Sequence, residues 1–380
     1  MLSQSLLLQS DNLVGLKYLL HEKALRGKID LIYIDPPFAT GINFSVLNGR
    51  AATISAAKNG EIAYSDKLKG DEYLSFLKER LLLLRELLSA QGSIYLHIDY
   101  KIGHYVKVLM DEVFGFQNFR NDITRIKCNP KNFKKIGYGN VKDLILFYTK
   151  SANAIWNEPY QDYSKEDVLR LFPKISADGR RYTTVPLHAP GETENGDSGK
   201  AFKGIMPPVG RHWRRDIATL EAWDRMGLIE WSKTGNPRKI IYADEQQGKR
   251  MQDIWEFKDP QYPEYPTEKN LKLLELIVKT SSNEDSIVLD CFCGSGTTLI
   301  AAQNLNRNWI GIDQSEAAIA ATKKKLDAVE KDLFYEVSGY EHLILPGKSA
   351  LQDKARVLDK QALSEDLFGL KEPTAKRLVR

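Results

Sequence analysis

The stretch VLDCFCGSGTTLIAA, residues 288–302, joins an apolar run to a glycine-rich turn and then to a segment of helical character. The apolar run predicts a strand that is buried on both faces of a parallel sheet. Glycines let a backbone approach a ligand closely, and the free N–H groups at the start of the helix face that ligand. The stretch therefore predicts a parallel α/β sheet with a cofactor loop, and a purely structural turn is the alternative.

The spacing of this turn argues against two phosphate-binding motifs. The dinucleotide fingerprint G-x-G-x-x-G would need a glycine where Leu299 stands after Gly294 and Gly296, and a P-loop would need lysine in place of Thr297. A nucleoside without phosphates fits better, and S-adenosylmethionine is the commonest cofactor of that kind. The next predicted strand ends at Asp313, whose carboxylate is placed to accept hydrogen bonds from both ribose hydroxyls.

Strands and helices alternate on both sides of this motif, which predicts a doubly wound, mostly parallel α/β sheet. Residues 1–150 and 263–330 are predicted to form its two parts, and helices are expected at 71–91 and 103–114, among others. The alternation stops at 151–262, which holds five of the six tryptophans and is interpreted as an inserted smaller domain. The tail at 331–380 is polar and mixed, and we expect it to be helical or partly disordered.

The composition limits the function only broadly. The 380 residues are 42% hydrophobic and 27% charged, with a formal net charge of +4, which permits a polyanionic partner without requiring one. No stretch resembles a membrane span, and no membrane partner is expected. Only three cysteines occur, Cys128, Cys291 and Cys293, so a disulfide framework is excluded, a cytoplasmic setting is favoured and no metal site is expected.

Basic residues cluster in three places, near Arg120–Lys142, at 210–215 and at 233–240, and tryptophans lie close to the last two. Clustered lysines and arginines beside aromatic rings suit a nucleic-acid surface, and a solvated basic face is the alternative. The first cluster contains seven basic residues, Arg120, Arg125, Lys127, Lys131, Lys134, Lys135 and Lys142.

A second motif lies in IDLIYIDPPFATG, residues 29–41, where an apolar strand ends in an acid, two prolines and an aromatic ring. Together, Asp35-Pro36-Pro37-Phe38 and Phe292-Cys293-Gly294-Ser295-Gly296 resemble the D/N/S-P-P-Y/F/W and F-x-G-x-G signatures of the amino-methylating DNA methyltransferases. The D-P-P-F motif comes first, which is similar to the beta group of that family and to modification methyltransferases of restriction systems.

This resemblance implies a Rossmann-like, S-adenosylmethionine-dependent methyltransferase fold, with 151–262 as the target-recognition domain. It implies double-stranded DNA as the partner, a cognate restriction endonuclease as a further possible partner, and a monomer or homodimer. It also implies a cofactor site that comprises Asp11 on the adenine side, Thr267, Glu268 and Lys269 near the methionine, and Asp290, Phe292, Gly294, Gly296, Thr297 and Asp313.

The four D-P-P-F residues suit methyl transfer to an exocyclic amino nitrogen, whose lone pair is delocalised into the base. In this interpretation Asp35 and the Pro36 carbonyl accept the two N–H groups, and Phe38 stacks on the base. Pro36 and Pro37 fix φ and keep the turn rigid. The base must leave the duplex, because its amino group is otherwise unreachable.

Several alternatives stay open at this point. Asp35 favours adenine N6, and cytosine N4 is the close alternative because serine is commoner at that position in cytosine-N4 enzymes. A nicotinamide-dependent oxidoreductase, a DNA-binding subunit without activity, and an RNA or protein methyltransferase are the other classes. His97 and Asp99 are interpreted as structural, with contact to the substrate as the alternative. The loop 39–66 is interpreted as mobile, and either closure over the target base or DNA or a surface loop without a role is open. Base-specific contacts are expected from Arg211, Arg214, Arg215 or Arg238.

Overall fold

The computed structural model describes residues 4–37, 43–47, 50–53, 61–65, 70–130, 136–193, 196–261, 263, 265, 268–329 and 339–346. The chain divides into two units, which are Met1–Glu158 with Gln252–Arg380, and Pro159–Met251. The first part of the larger unit contains β1 Ser5–Gln9, α1 Asn12–His21, β2 Ile29–Ile34, β3 Asn43–Leu47, β4 Arg50–Thr53, β5 Glu61–Ser65, α2 Gly70–Leu87, β6 Leu88–Ile98, α3 Gly103–Phe114, β7 Phe119–Ile126 and β8 Lys142–Thr149.

The remaining elements follow in chain order. The smaller unit contains β9 Tyr160–Gln161, α4 Lys165–Leu171, β10 Lys174–Ile175, β11 Arg181–Pro186, β12 His188–Pro190, β13 Arg211–Trp213, α5 Ile217–Arg225, β14 Ile229–Trp231, β15 Pro237–Tyr242 and β16 Lys249–Arg250. The larger unit resumes with β17 Ile254–Glu256, α6 Leu271–Ser281, β18 Ile287–Asp290, α7 Thr297–Asn304, β19 Asn308–Asp313, α8 Glu316–Val329 and β20 Tyr340–Ile344.

The main sheet of the larger unit has nine strands among the described residues, in the order β17-β7-β8-β6-β2-β18-β19-β1-β20. Only β8 among them is antiparallel to its neighbours. Leu6 and Leu8 of β1 lie in one core cluster, and the intervening Leu7 is also fully buried, so the strand is covered on both faces. The predicted doubly wound, mostly parallel sheet is confirmed.

Helix α2 ends earlier than predicted, at Leu87, and β6 begins at the next residue. The pairing of β2 with β6 is irregular here, because Ile29 pairs with Leu88 whereas Leu31 pairs with Ser93. A Cβ on Gly92 would lie 2.9 Å from the Ile29 carbonyl oxygen, so the close approach of the two strands requires glycine. The helical pattern of 88–91 is therefore overridden by sheet pairing.

Several strands lie where the sequence predicted none. The stretch 39–66, interpreted as a loop, contains β3, β4 and β5, which form a separate three-stranded sheet. Two further unpredicted strands, β17 and β20, join the main sheet. β17 falls inside the range 151–262, yet it pairs in parallel with β7 in the main sheet. β20 falls in the tail that we expected to be helical or disordered, and it pairs in parallel with β1. Both are short strands at the two ends of the sheet, and their pairing depends on partners that are distant in sequence.

The smaller unit contains a four-stranded antiparallel sheet, β10-β11-β15-β14, and two two-stranded sheets. Its core cluster comprises Leu187, Phe202, Trp213 and Leu220. Trp213 is fully buried, so this tryptophan belongs to the core and not to a nucleic-acid surface. Within the described part of the chain, no helix has the length and apolarity needed to cross a membrane.

Candidate active site

Five neighbouring parallel strands of the main sheet, β6, β2, β18, β19 and β1, end at or are followed by an aspartate. The carboxyl ends of parallel strands share one edge of a sheet, which is where doubly wound folds bind their ligands. The five aspartates therefore lie along the same edge. They are, in the order of the strands, Asp99, Asp35, Asp290, Asp313 and Asp11.

Four of these carboxylates accept a hydrogen bond from the backbone N–H two residues further along the chain. The bonds are Leu13 to Asp11 at 3.0 Å, Lys101 to Asp99 at 2.9 Å, Phe292 to Asp290 at 3.0 Å and Ser315 to Asp313 at 2.9 Å. The residue two positions after Asp35 is Pro37, which has no N–H. Because of the second proline of the motif, Asp35 lacks the backbone hydrogen bond that the other four aspartates accept.

The Asp35 carboxylate has one engaged and one available oxygen. Its Oδ2 forms an ion pair with Lys269 Nζ at 2.5 Å. Its Oδ1 has no hydrogen-bond partner among the described residues, and His97 Nδ1 lies 3.7 Å from it. Pro36 is buried and Pro37 half-buried, whereas Phe38 lies outside the described residues. The turn after β2 therefore presents a carboxylate oxygen that the described chain leaves without a donor.

A buried polar cluster lies behind Asp35. The fully buried His97 contacts the Tyr33 hydroxyl at 2.9 Å and Asp143 at 3.3 Å, and Asp143 accepts a hydrogen bond from Lys127 at 2.6 Å. Burial lowers the pKa of His97, against the opposing effect of Asp143 and Asp35. Burial alone would raise the pKa of Asp143, but the hydrogen bonds and charges of His97 and Lys127 hold that pKa well below its usual range.

The glycine-rich turn after β18 uses its own donors differently. Gly294 and Gly296 both have positive φ, of 51° and 76°. Asp313 accepts the Gly294 N–H at 2.9 Å, and Asp290 accepts the Thr298 hydroxyl at 2.6 Å. Burial, opposed by the hydrogen bonds of Thr298 and Phe292, raises the pKa of Asp290 to about 7. Asp290 is 2% exposed, so both of its oxygens serve the turn itself.

The two glycines differ in what surrounds them. A Cβ on Gly296 would lie 2.7 Å from the Thr322 side chain of α8, whereas a Cβ on Gly294 would meet nothing nearer than Tyr265 at 3.8 Å. Gly296 is therefore required by packing, and Gly294 leaves open space beside the loop. This open peptide surface and the nearby Asp313 carboxylate leave room for a nucleoside beside the turn.

A profile of the family described as DNA methylase matches residues 29–324, which include both motifs. The chain belongs to this N6/N4 DNA methylase family. The resemblance to amino-methylating DNA methyltransferases of restriction-modification systems is thereby confirmed. S-adenosylmethionine, the predicted cofactor, is the methyl donor of this methylase family.

The type II methyltransferase M.EcaI of Enterobacter cloacae is 41% identical over 322 residues, which are 83% of this chain and 68% of that protein. The type III StyLTI Mod subunit of Salmonella typhimurium is 28% identical and covers 80% of this chain, which spans 50% of that subunit. The crystal structure of the M1.HpyAVI–SAM complex is 18% identical with a TM-score of 0.44, and it covers 84% of this chain and 99% of its own. Strand order, rather than this last likeness, identifies the fold.

Other predicted site residues of the methylase also have protein partners. Asp11 Oδ1 accepts the Leu13 and Val14 N–H groups as the N-cap of α1, and its Oδ2 lies 3.8 Å from Arg80. Glu268 pairs with Lys325 at 2.5 Å. Thr297 is the first residue of α7 and is buried, and Thr267 lies outside the described residues. Lys269 contacts Asp35, which sequence reasoning did not anticipate.

Arg80 is a further residue that the sequence did not single out. It is 2% exposed, donates to Asn12 Oδ1 at 2.6 Å, and its guanidinium lies 3.5 Å from the centroid of the Phe76 ring. Phe76 in turn lies 6.3 Å from the Phe292 ring. In the sequence, Arg80 stands out only as an arginine on the apolar side of α2. Helical periodicity alone would assign such a charged residue to the surface.

The basic residues of the methylase divide between surface and interior. Arg125 is fully buried and pairs with Asp259 at 2.5 Å, so it is unavailable to a phosphate and the surface interpretation was wrong for this residue. Arg238 donates to the Thr184 hydroxyl and carbonyl. Arg214 and Arg215 are exposed, and Arg211 is exposed with its guanidinium 3.0 Å from His188.

Proposed function

We propose that this chain is a sequence-specific DNA methyltransferase that transfers a methyl group from S-adenosylmethionine to N6 of an adenine flipped out of duplex DNA. The observation that carries the proposal is the Asp35 Oδ1 atom, which has no donor among the described residues and stands beside the glycine-rich turn. An acceptor in this position suits a substrate N–H, because a buried acceptor without a partner is costly unless a ligand supplies one.

When bound, S-adenosylmethionine supplies an electrophilic sulfonium methyl group. Asp35 Oδ1 accepts one N–H of the target amino group, and the Pro36 carbonyl accepts the other. These two acceptors favour a pyramidal nitrogen and stabilise the positive charge that develops on it. Lys269 holds Asp35 Oδ2 at 2.5 Å and so fixes the direction of Oδ1. Phe38 stacks on the base, as in the prediction from its motif.

We further propose that Gly294, Phe292 and Asp313 contact the cofactor directly. Gly294 offers open backbone, and Asp313 has lone pairs beyond the two that accept backbone N–H groups. Asp290, Glu268 and Asp11 hold the surrounding turns through the hydrogen bonds and ion pair described above. Thr267, Gly296 and Thr297 complete the proposed cofactor site.

The proposed target-recognition domain is the smaller unit, Pro159–Met251. The exposed Arg211, Arg214 and Arg215 are its candidates for reading guanine edges. The names of the relatives support double-stranded DNA as the partner and a restriction endonuclease as a possible second one. We expect DNA affinity to fall steeply with salt, because basic side chains release counterions from the phosphates. A flat salt dependence would contradict this assignment.

The proposal is tested by transfer of labelled methyl from S-adenosylmethionine to unmodified genomic DNA. The parent is expected to incorporate label, and Asp35→Ala is expected to lose at least about 1,000-fold in kcat, since an acceptor used in the transition state is removed. Asp122→Ala, at an exposed aspartate of β7, is the matched control and should retain full activity. Calorimetry with S-adenosylmethionine checks that Asp35→Ala still binds the cofactor.

Mass spectrometry of nucleosides from the product separates the two target bases. N6-methyladenine supports the proposal, and 4-methylcytosine alone would replace adenine by cytosine as the target. DNA binding that is indifferent to S-adenosylmethionine, with no incorporation, would instead identify a DNA-binding subunit without activity.

A further inference from the structure

The imidazole of His97 approaches the available oxygen of Asp35 without donating to it. His97 Nδ1 lies 3.7 Å from Asp35 Oδ1, and both ring nitrogens have other partners, the Tyr33 hydroxyl at 2.9 Å and Asp143 at 3.3 Å. A neutral imidazole carries one N–H donor and one acceptor nitrogen. The position of that single proton therefore decides whether His97 can donate to Asp35.

Asp143 determines the position of the proton. An ionised carboxylate can only accept hydrogen bonds, so the ring nitrogen that faces it, Nε2, must carry the proton. Asp143 accepts from Lys127 at 2.6 Å, and the Arg125 guanidinium lies 3.8 Å away. Two cations beside a carboxylate that is almost fully buried keep it ionised.

The opposite nitrogen, Nδ1, then accepts the Tyr33 hydroxyl and has no proton to donate to Asp35 Oδ1. A proton on Nδ1 would convert the 3.7 Å approach into a donor–acceptor contact, and a small movement of either side chain would complete the bond. Burial of His97 also disfavours a proton on both nitrogens.

We propose that Asp143 is a positioning residue that acts through His97, holding the Nε2–H tautomer so that Asp35 Oδ1 stays free for the target amino group. The inference rests on the proposed function, because it assigns the free oxygen to the substrate. Pro37 removes the backbone donor from this oxygen, and the tautomer of His97 removes the side-chain donor.

The first experiment uses the full chain without substitution. NMR of protein with ¹⁵N-labelled histidine distinguishes the two neutral tautomers and the doubly protonated ring, and a His97→Gln variant identifies the His97 signals among the six histidines. We expect Nε2–H with an unprotonated Nδ1. An Nδ1–H tautomer or a doubly protonated ring would overturn the proposal, and neither result depends on methyl transfer.

The second experiment compares Asp143→Asn with Asp122→Asn, at an exposed aspartate of the neighbouring strand β7. An asparagine amide can donate to Nε2 and shift the proton to Nδ1, as asparagine does beside the histidine of hydrolase triads. We expect Asp143→Asn to show Nδ1–H and to lose about 100-fold in kcat, with cofactor affinity unchanged. Asp122→Asn makes the same substitution elsewhere and keeps the Asp143 carboxylate, so the Nε2–H tautomer and kcat within a few-fold of the parent are expected.

The two experiments separate failure of the inference from failure of the proposed function. Loss of activity in Asp143→Asn without a change of tautomer, or a change of tautomer without loss of activity, would overturn the inference. A parent protein that transfers no methyl group would overturn the proposed function, while its His97 spectrum would still confirm or contradict the tautomer. If Asp143→Asn does not fold, the spectrum of the parent decides.

Discussion

The turns after β2 and β18 follow neighbouring parallel strands and both contain an aspartate, yet their hydrogen bonding is opposite. The turn after β18 is rich in N–H groups, and Asp290 is satisfied by Phe292 and Thr298. The turn after β2 contains two prolines, and Asp35 Oδ1 finds no donor in the described chain. The residues that follow each aspartate thus determine whether its carboxylate is hydrogen-bonded within its own turn.

The largest expected effect concerns the turn after β18, where Asp290 makes the free energy of unfolding depend on pH. Asp290 has its pKa raised from 3.8 to about 7, so the native state binds more protons than the unfolded state between those values. The free energy of unfolding should therefore fall as pH rises, with the contribution of Asp290 fully present below about pH 4 and lost through pH 7, by about 4 kcal/mol in order of magnitude.

Asp290→Asn removes this charge, so its stability relative to the parent should rise by that amount between pH 4 and pH 8 in urea unfolding. Asp122→Asn, at an exposed aspartate, is the matched control and should follow the parent. Parallel pH curves for the parent and Asp290→Asn would show that the Asp290 carboxyl does not differ from an exposed one.

Pro37→Ala would give Asp35 a backbone N–H two residues further along the chain, like the one that each of the other four aspartates accepts. We expect kcat to fall about 100-fold, because Oδ1 would then be bonded within the turn, with little change in cofactor affinity. Pro36→Ala relaxes the same turn but adds an N–H only one residue after Asp35, so its loss should be much smaller. Equal kcat values for the two variants would refute the role assigned to the second proline.

Lys269→Met removes the ion pair of Asp35, which has a side-chain cation as its partner where the other aspartates accept backbone N–H groups. A hydrogen bond to a charged group contributes about 1.5–3 kcal/mol, so kcat should fall about tenfold or more as Asp35 loses its orientation. Lys269→Arg should restore most of the activity. Lys272→Met, at an exposed lysine of α6, is the control, and an equal effect there would implicate surface charge in general.

The smallest expected effect separates the two glycines of the other turn. Alanine in the left-handed region costs about 1–2 kcal/mol at either position. Gly296→Ala must also displace Thr322, so it should be less stable than Gly294→Ala by about 1 kcal/mol in urea unfolding. Cofactor affinity should show the reverse order, because Gly294 faces the open side of the loop. The same order in both measurements would contradict the assignment of Gly294 to the cofactor.

The sequence predicted the sheet and the place of both turns because each central strand is a continuous apolar run, and parallel strands bring their carboxyl ends together. It could not predict the cluster behind Asp35. Arg125 and Asp143 are directly paired across β7 and β8, and that register depends on packing which neither strand specifies alone. Arg125 therefore looked like a surface residue, and His97 like an isolated core residue.

The sequence also could not show that Asp35 Oδ1 has no donor among the described residues, because this depends on a hydrogen bond that is missing. The missing bond becomes visible only by comparison, because each of the other four aspartates accepts the N–H two residues further along the chain. That comparison requires knowing that all five aspartates lie on one edge of the sheet. The Lys269 contact likewise joins two segments on either side of the smaller unit. The sequence predicts a chemical role for the D-P-P-F motif, but it does not reveal the side chains that surround Asp35.

The pairing of Leu31 in β2 with Val288 in β18 has a consequence for the order of events during synthesis. The ribosome completes β2 and its neighbour β6, then the whole of Pro159–Met251, before it makes β18, the strand on the other side of β2. The N–H of Trp309 likewise donates to Ser5 Oγ across 304 residues of chain. Contacts between residues so far apart in the sequence form late and slowly. A nascent chain that stops before β18 therefore carries the proline turn without the glycine turn, and both turns are present only after β18 and the residues that follow it have been synthesised.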